Sequence, residues 1–351
     1  EMIGSDWSSD VCSSDLDVIN TGIDSYKNFA DITAYMNKYQ DDDFSLGDLY
    51  EYSKIQARVD GKYYGIPSTG TLQAILVYNK TMFKKHGLDP NKPPTTLEQL
   101  DEYAEKMTVK SGNGYSEVGF IPWEWWMNIS AHQVPRLFGG KFVDDSGNPT
   151  PNTAANLEAF EWLQSYVTKY GYDELNSTNL GGKNTPFDGG RLGMIYTYSG
   201  VIQQSASWTF EWGVADMPSK TGEQMATTST NLMCVFKECK DVEAAFLAAR
   251  VLCGKKFQTK DISYRANAGA DVSCLKSVNQ ANINLYNPTM RQIINQTLPA
   301  IKPEEKKDNT GKVPDDYNQW CSDARDSVLT GKADPAAALK QLEDKVKAWQ
   351  K

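Results

Sequence analysis

Apolar residues in this chain gather in short blocks set off by turn formers. The most continuous block lies between Asp60 and Leu88. Asp60-Gly61 signals a tight turn, because glycine reaches the positive φ such a turn needs. Residues 72–78 form a nearly unbroken apolar run rich in β-formers. That run predicts a strand buried on both faces, as in a parallel sheet. Residues 81–86 fit one short helix, with Gly87 as its C-terminal cap. Beyond Asp89-Pro90 and Pro93-Pro94, Thr95 and Thr96 stand at capping distance from Glu98 and Gln99. Leu97, Leu100, Ala104 and Met107 then mark one apolar helical face. The same reasoning predicts helices over 26–39, 154–170, 241–252, 320–329 and 336–349. It predicts the end of a strand at 17–19 and a hairpin turn at 144–148.

The length of 351 residues suits two domains of roughly 150 residues each. With 40% hydrophobic and 23% charged residues, the chain has the composition of an ordinary globular protein. Its net charge of -9 argues against nucleic acid as a partner, since phosphate binding needs clustered Lys and Arg. No run reaches the ~18 apolar residues that a membrane span requires. The 9 Trp and 18 Tyr serve core packing or, for some, flat platforms that stack on a sugar ring. Trp123, Trp125 and Trp126 cannot all enter one face of an element, so at least one is expected at a surface or cleft. The cysteines are Cys12, Cys234, Cys239, Cys253, Cys274 and Cys321. They lack zinc-ligand spacing, and Cys234 and Cys253 read as buried free thiols. Asp144 to Asn148 lacks the downstream Glu of a calcium loop. No cofactor or metal is implied.

Residues 5–16 are Ser/Asp-rich, aperiodic and nearly self-repeating, and resemble the in-frame translation of a sequencing adapter. Residues 1–16 are therefore read as a non-native tail and set aside from fold reasoning.

Several blocks together carry a resemblance. Gly61-Lys62-Tyr63-Tyr64-Gly65-Ile66-Pro67 is followed by an apolar strand ending in Tyr78-Asn79-Lys80, a short helix, Gly87-Leu88 and a Pro-Thr-led helix. Phe187-Asp188-Gly189-Gly190-Arg191-Leu192-Gly193-Met194, Trp212 to Pro218 and Gly331-Lys332-Ala333-Asp334-Pro335 continue the pattern. In this order the blocks resemble the extracellular solute-binding proteins of sugar-importing ABC transporters, the maltose-binding-protein-like group. The resemblance covers residues 17–351, and it implies a helix over 129–138 and strands at 195–198 and 212–218.

It implies an α/β, two-lobed periplasmic-binding-protein-like fold of type II, each lobe a sheet flanked by helices, joined by hinge strands. Lobe 1 would comprise 17–72 plus about 229–300, and lobe 2 73–228 plus about 301–351. The first βα unit of lobe 1 would be missing, leaving an open sheet edge. A sugar or oligosaccharide would sit in the interlobe cleft and pass to the permease subunits of the transporter. The protein would be a monomer outside the cytoplasm, lipid-anchored through a missing N-terminal segment. By position the resemblance assigns ligand contacts to Thr21, Asp24, Thr69, Thr71, Trp125, Trp126, Asn128, Tyr198, Ser199, Thr230, Asn231, Tyr317 and Trp320. For Asp24 the alternative is a helix cap; for the threonines it is an ordinary loop role. The segment 227–231 departs from the Gly-rich segment usual in the group.

Enzymatic patterns are sparse. There is no Gly-x-Ser-x-Gly elbow, and Gly181-Gly182-Lys183-Asn184 fails the P-loop pattern. Only His86 and His132 are present, and His132 reads as structural. A glycoside hydrolase needs only two carboxylates beside aromatic platforms, and Glu124 and Glu211 are the candidates. A surface carbohydrate-binding protein without transport is the third alternative.

Overall fold

The computed structural model describes residues 11–14, 24–123, 131–144, 146–182, 185–223, 225–265, 271–286, 288–301, 312–314 and 316–351. The chain divides into two compact units, residues 1–73 with 227–310 and residues 74–226 with 311–351. It crosses from one to the other at 73/74, 226/227 and 310/311.

The first unit is built on a sheet ordered β1 (Val11–Ser14), β10 (Thr227–Val235), β4 (Ile66–Gln73) and β11 (Asp271–Ser273). Every pairing in it is antiparallel. β1 lies in the stretch set aside as a tail, yet it pairs along Leu232 to Val235 and covers that edge of β10, which the sequence reading expected to be open. Beside the sheet, β2 (Arg58–Val59) and β3 (Lys62–Tyr63) form a hairpin. Its two-residue loop has Asp60 at φ 49° and Gly61 at φ 77°. Positive φ at both central residues is the twist-compatible geometry that Asp-Gly favours.

From Thr227 to Cys234, β10 alternates. Thr228, Thr230, Leu232 and Cys234 are buried, while Thr227, Ser229, Asn231 and Met233 are half-buried. On the buried side the helix Glu51–Gln56 supplies the polar partner. Gln56 Nε2 donates to the Thr228 carbonyl at 2.7 Å, and Thr230 Oγ1 donates to Gln56 Oε1 at 2.6 Å. Close approach needs a glycine at position 65. A Cβ there would lie 2.8 Å from Leu232 Cβ and 3.0 Å from Cys234 Sγ. The helix Val242–Cys253 packs on β4 and β10, and Asp241 caps it by accepting from the Ala244 amide at 2.9 Å.

The expected helix over 26–39 is broken. A 3-10 helix, Asp24–Asn28, and an α-helix, Thr33–Lys38, flank a stretch tied to the sheet. There Phe29 bridges to Phe236, Ala30 N donates to Val235 O, and Ile32 N donates to Tyr63 O. Those backbone bonds to strands outcompete the helical ones.

In the second unit β5 (Ile75–Asn79) lies between β8 (Met194–Thr197) and β9 (Trp212–Asp216). The run at 72–78 is thus two strands in two sheets, separated by Ala74 at φ 59°. β5 is buried at every position, as expected, but both neighbours are antiparallel. A central strand covered on both faces is apolar throughout whatever the direction of its neighbours. The pair β6 (Val109–Ser111) and β7 (Gly114–Glu117) forms a small separate ribbon.

The helices follow their caps. Asn79 Oδ1 accepts from Met82 N before Lys80–Lys85, and Gly87 ends that segment at φ 74°. Thr96 Oγ1 accepts from Gln99 N before Leu97–Met107, while Gln99 Oε1 reaches back to Thr95 N at 2.9 Å. The reciprocal arm of the box therefore closes one residue early. Leu97, Leu100, Ala104 and Met107 are all buried. The helices Ala154–Tyr170, Tyr317–Leu329 and Pro335–Trp349 pack together. Asp144 closes the expected hairpin turn by accepting from Ser146 N and Asn148 N. Of the helix expected at 129–138, Gln133–Arg136 is helical, and residues 129–130 lie outside the described residues.

Two stability predictions follow from these contacts. Thr230→Val keeps the shape but leaves Gln56 Oε1 buried without its donor, so a denaturant titration should show a loss of ~1–3 kcal/mol. Gly61→Ala meets no atom within 4 Å, so its cost is the left-handed backbone alone, ~1–2 kcal/mol. An unchanged denaturation midpoint for Gly61→Ala would refute the hairpin geometry.

Candidate functional site

The half-buried side of the first unit's sheet is polar. Directly paired residues of antiparallel strands point to the same face, and the face alternates along each strand. Thr227 pairs with Gln73, Ser229 with Thr71, and Thr71 in turn with Asp271. Thr69 pairs with Ser273 on its other side. These residues form cross-strand rows: Thr227–Gln73, Ser229–Thr71–Asp271, and Asn231–Thr69–Ser273. The last row is set by a bulge. Thr230 pairs with Gly70 but Leu232 pairs with Pro67, so Ser68 and Thr69 together oppose Asn231. Asn231 Nδ2 donates to Thr69 Oγ1 at 2.9 Å, and Ser68 Oγ donates to the Asn231 carbonyl at 3.1 Å. Thr71 Oγ1 approaches Asp271 Oδ1 at 3.5 Å.

Thr69, Asp271 and Ser273 are buried; Gln73, Thr71, Thr227, Ser229 and Asn231 are half-buried. The rows thus carry hydroxyls, two amides and one carboxylate, with no Lys or Arg. Such a face donates and accepts hydrogen bonds at reduced dielectric, where each bond is stronger than in water. It suits a neutral, hydroxyl-rich molecule.

The structure gathers Thr69, Thr71 and Asn231 on this face. Thr230 lies on the opposite face, fully buried, with its hydroxyl given to Gln56. Asp24 opens the 3-10 helix, and Thr21 lies outside the described residues, as do Trp125, Trp126 and Asn128. Trp123 is a core residue: its Nε1 donates to Asn176 Oδ1 at 3.2 Å and its ring packs on Tyr172. Asp271, Ser273, Ser229, Thr227 and Gln73 escaped the sequence reading. Their signal was available only as alternation in register with Thr69 and Thr71.

In the second unit β8 ends at Thr197, and Tyr198 and Ser199 follow it. Tyr198 is half-buried and Ser199 fully buried. A Cβ on Gly200 would lie 2.1 Å from the Tyr198 ring, so this position must be glycine for the ring to fold back. Thr197 Oγ1 is buried with no hydrogen-bond partner among the described residues. Asp216, at the end of β9, accepts from Met225 N and Ala226 N and fixes the chain just before its crossing into β10. Tyr317 is buried and donates to the Phe142 carbonyl at 2.8 Å; burial pushes its phenol up. Trp320 is half-buried, with the Lys345 ammonium 4.1 Å above its ring.

The remaining titratable groups read as structural. Burial pushes the His132 imidazole down, against a hydrogen bond with Asn318, and the ring packs edge-on to Phe142. Burial pushes the Cys274 and Cys321 thiols up to about 12, which leaves them unreactive. Cys239, Cys253, Cys274 and Cys321 form no disulfide. Glu211 is exposed and paired with Lys84, whose hydrogen bond holds its carboxyl below the usual range. It is therefore ionised and unsuited to donate a proton. Glu124 lies outside the described residues. Among the described residues no cluster has the makings of a metal site, and no helix is long and apolar enough to cross a membrane.

Comparison with known proteins gives the context. A probable ABC transporter-binding protein of Deinococcus radiodurans is 26% identical over 307 residues, covering 81% of this chain and 68% of that one. The sn-glycerol-3-phosphate-binding periplasmic protein UgpB of Escherichia coli is 34% identical over 92 residues, 24% of this chain and 20% of that one. A further curated relative is matched over only 28% of its length. Among solved structures, CpMnBP1 with mannotriose bound aligns with TM-score 0.79 at 22% identity, covering 97% of this chain and 87% of that one. It shares the two-lobed α/β fold expected from the sequence. The model of the bacterial extracellular solute-binding proteins matches residues 8–258, and the chain belongs to that family.

Proposed function

We propose that this protein is the cargo-binding component of an ABC importer and that its cargo is a neutral sugar or oligosaccharide. The observation that carries the reading is the polar face of β4, β10 and β11, whose cross-strand rows present hydroxyls and amides and contain no Lys or Arg. The mannotriose seen with CpMnBP1 supports the same class. The glycerol phosphate of UgpB is the rival, since that relative is 34% identical over 92 residues of this chain. The partners on this reading are the permease subunits of the transporter. The protein acts as a monomer outside the cytoplasm, held at the membrane by a lipid anchor, and catalyses no reaction.

Trp125 and Trp126 are part of the proposal as stacking platforms, with Asn128 beside them and Thr21, Asp24, Tyr198, Ser199 and Trp320 as further contacts. A ring stacked on a sugar contributes ~1–3 kcal/mol. Titrating the protein with mannotriose, maltotriose and sn-glycerol 3-phosphate should give saturable binding of a neutral sugar and a change in Trp fluorescence. Trp125→Ala or Trp126→Ala should weaken that binding about 5- to 150-fold. The melting temperature without sugar should stay nearly constant. Tight binding of glycerol phosphate with none of the sugars would sink the reading. Release of reducing ends from the oligosaccharide would replace it with hydrolysis.

A further inference from the structure

We propose that Gly200 is a positioning residue for the cargo: its bare backbone lets the Tyr198 ring lie back on the chain, where the ring and its unused hydroxyl meet the sugar. The inference rests on the neutral-sugar reading above and deepens it. β8 ends at Thr197, which pairs with Ile75, and Ile75 pairs in turn with Asp216 at the end of β9. Tyr198 therefore leaves the sheet at the carboxyl ends of β8 and β9, the side of an α/β sheet on which ligands bind. It stands directly before a 3-10 helix, Ser199–Ser207.

The backbone does not account for this glycine. Gly200 lies in the first turn of the 3-10 helix, outside the left-handed region that favours glycine. Alanine would lose less conformational entropy there on folding. What excludes a side chain is the ring of Tyr198. A Cβ at position 200 would lie 2.1 Å from Tyr198 Cε2 and 2.9 Å from both Cδ2 and Cζ, and these are the three nearest atoms it would meet. Thr197 and Ser199, on either side of Tyr198, are both buried and fix the backbone. The ring would be the part to give way, so its rotamer depends on the absence of one methyl group. The ring so placed is also unspent. Tyr198 is half-buried, and among the described residues its hydroxyl has no hydrogen-bond partner. Tyr115, Tyr166 and Tyr317 in the same unit each donate theirs to the protein. A phenol ring offers a flat apolar face to the C–H face of a sugar, and its hydroxyl both donates and accepts. A side chain already held in its bound rotamer loses little entropy when the cargo arrives, so its contacts count more fully towards affinity.

A double-mutant cycle tests the pair, with each protein titrated with whichever of mannotriose and maltotriose the native protein binds better. Tyr198→Ala should weaken binding about 5- to 50-fold. Tyr198→Phe keeps the ring and should weaken it about 2- to 10-fold. Gly200→Ala should match Tyr198→Ala within about twofold, the ordinary scatter of such cycles. In the Tyr198→Ala background the same Gly200→Ala change should cost nothing further, because the atoms its Cβ would meet are gone. A general disturbance of the helix would instead weaken binding in both backgrounds. Melts without sugar check the fold, and the double variant should melt as Tyr198→Ala does. If Gly200→Ala alone fails to fold, recovery of the melt in the double variant supports the contact and Tyr198→Ala reads the binding. If Gly200→Ala binds as the native protein does, or loses as much again beside Tyr198→Ala, the proposal falls and the sugar reading stands. The same holds if Tyr198→Ala binds as the native protein does. If the native protein binds neither sugar, the reading of function fails, and the proposal goes with it.

Discussion

The pairing of β4 with β10 is the constraint on which the rest of the first unit depends. Both strands leave or enter at a crossing between units, and both are rich in threonine and serine. A strand with hydroxyls on both faces is hard to bury, because an unmet hydroxyl in a core costs as much as several methylenes contribute. The fold solves this asymmetrically. On the core side Gln56 meets the Thr230 hydroxyl and the Thr228 carbonyl, while the Thr228 hydroxyl is buried with no hydrogen-bond partner among the described residues. On the other side the Ser68, Thr69 and Asn231 contacts shape a bulge, and the cross-strand rows set buried Thr69, Asp271 and Ser273 beside half-buried Gln73, Thr71, Ser229 and Asn231.

Much of the fold was legible because local signals were strong. The Asp60-Gly61 hairpin, the caps at Asn79, Thr96 and Asp241, and the apolar face ending at Met107 needed no long-range information. The misreadings arose where long-range pairing overrode local preference. The helix over 26–39 failed because the backbone of Phe29, Ala30 and Ile32 is bonded to strands distant in sequence. The continuous strand at 72–78 failed at Ala74, whose left-handed φ turns the chain from one sheet into another. Nothing about alanine announces such a backbone, which costs ~1–2 kcal/mol and persists only where the surroundings impose it.

The candidate site was legible in part for a similar reason. Thr69, Thr71, Thr230 and Asn231 were all drawn from two polar segments by position in a resembled family. Position cannot separate Thr230 from Ser229, because neighbouring residues on a strand point to opposite faces. The bulge at Asn231 shifts the phase once more on β4, bringing Ser68 and Thr69 to the same partner. Only the register shows that Thr230 belongs to the core and Ser229 to the open face. Asp271 was invisible for a stronger reason, since β11 is three residues long and carries no periodic signal of its own.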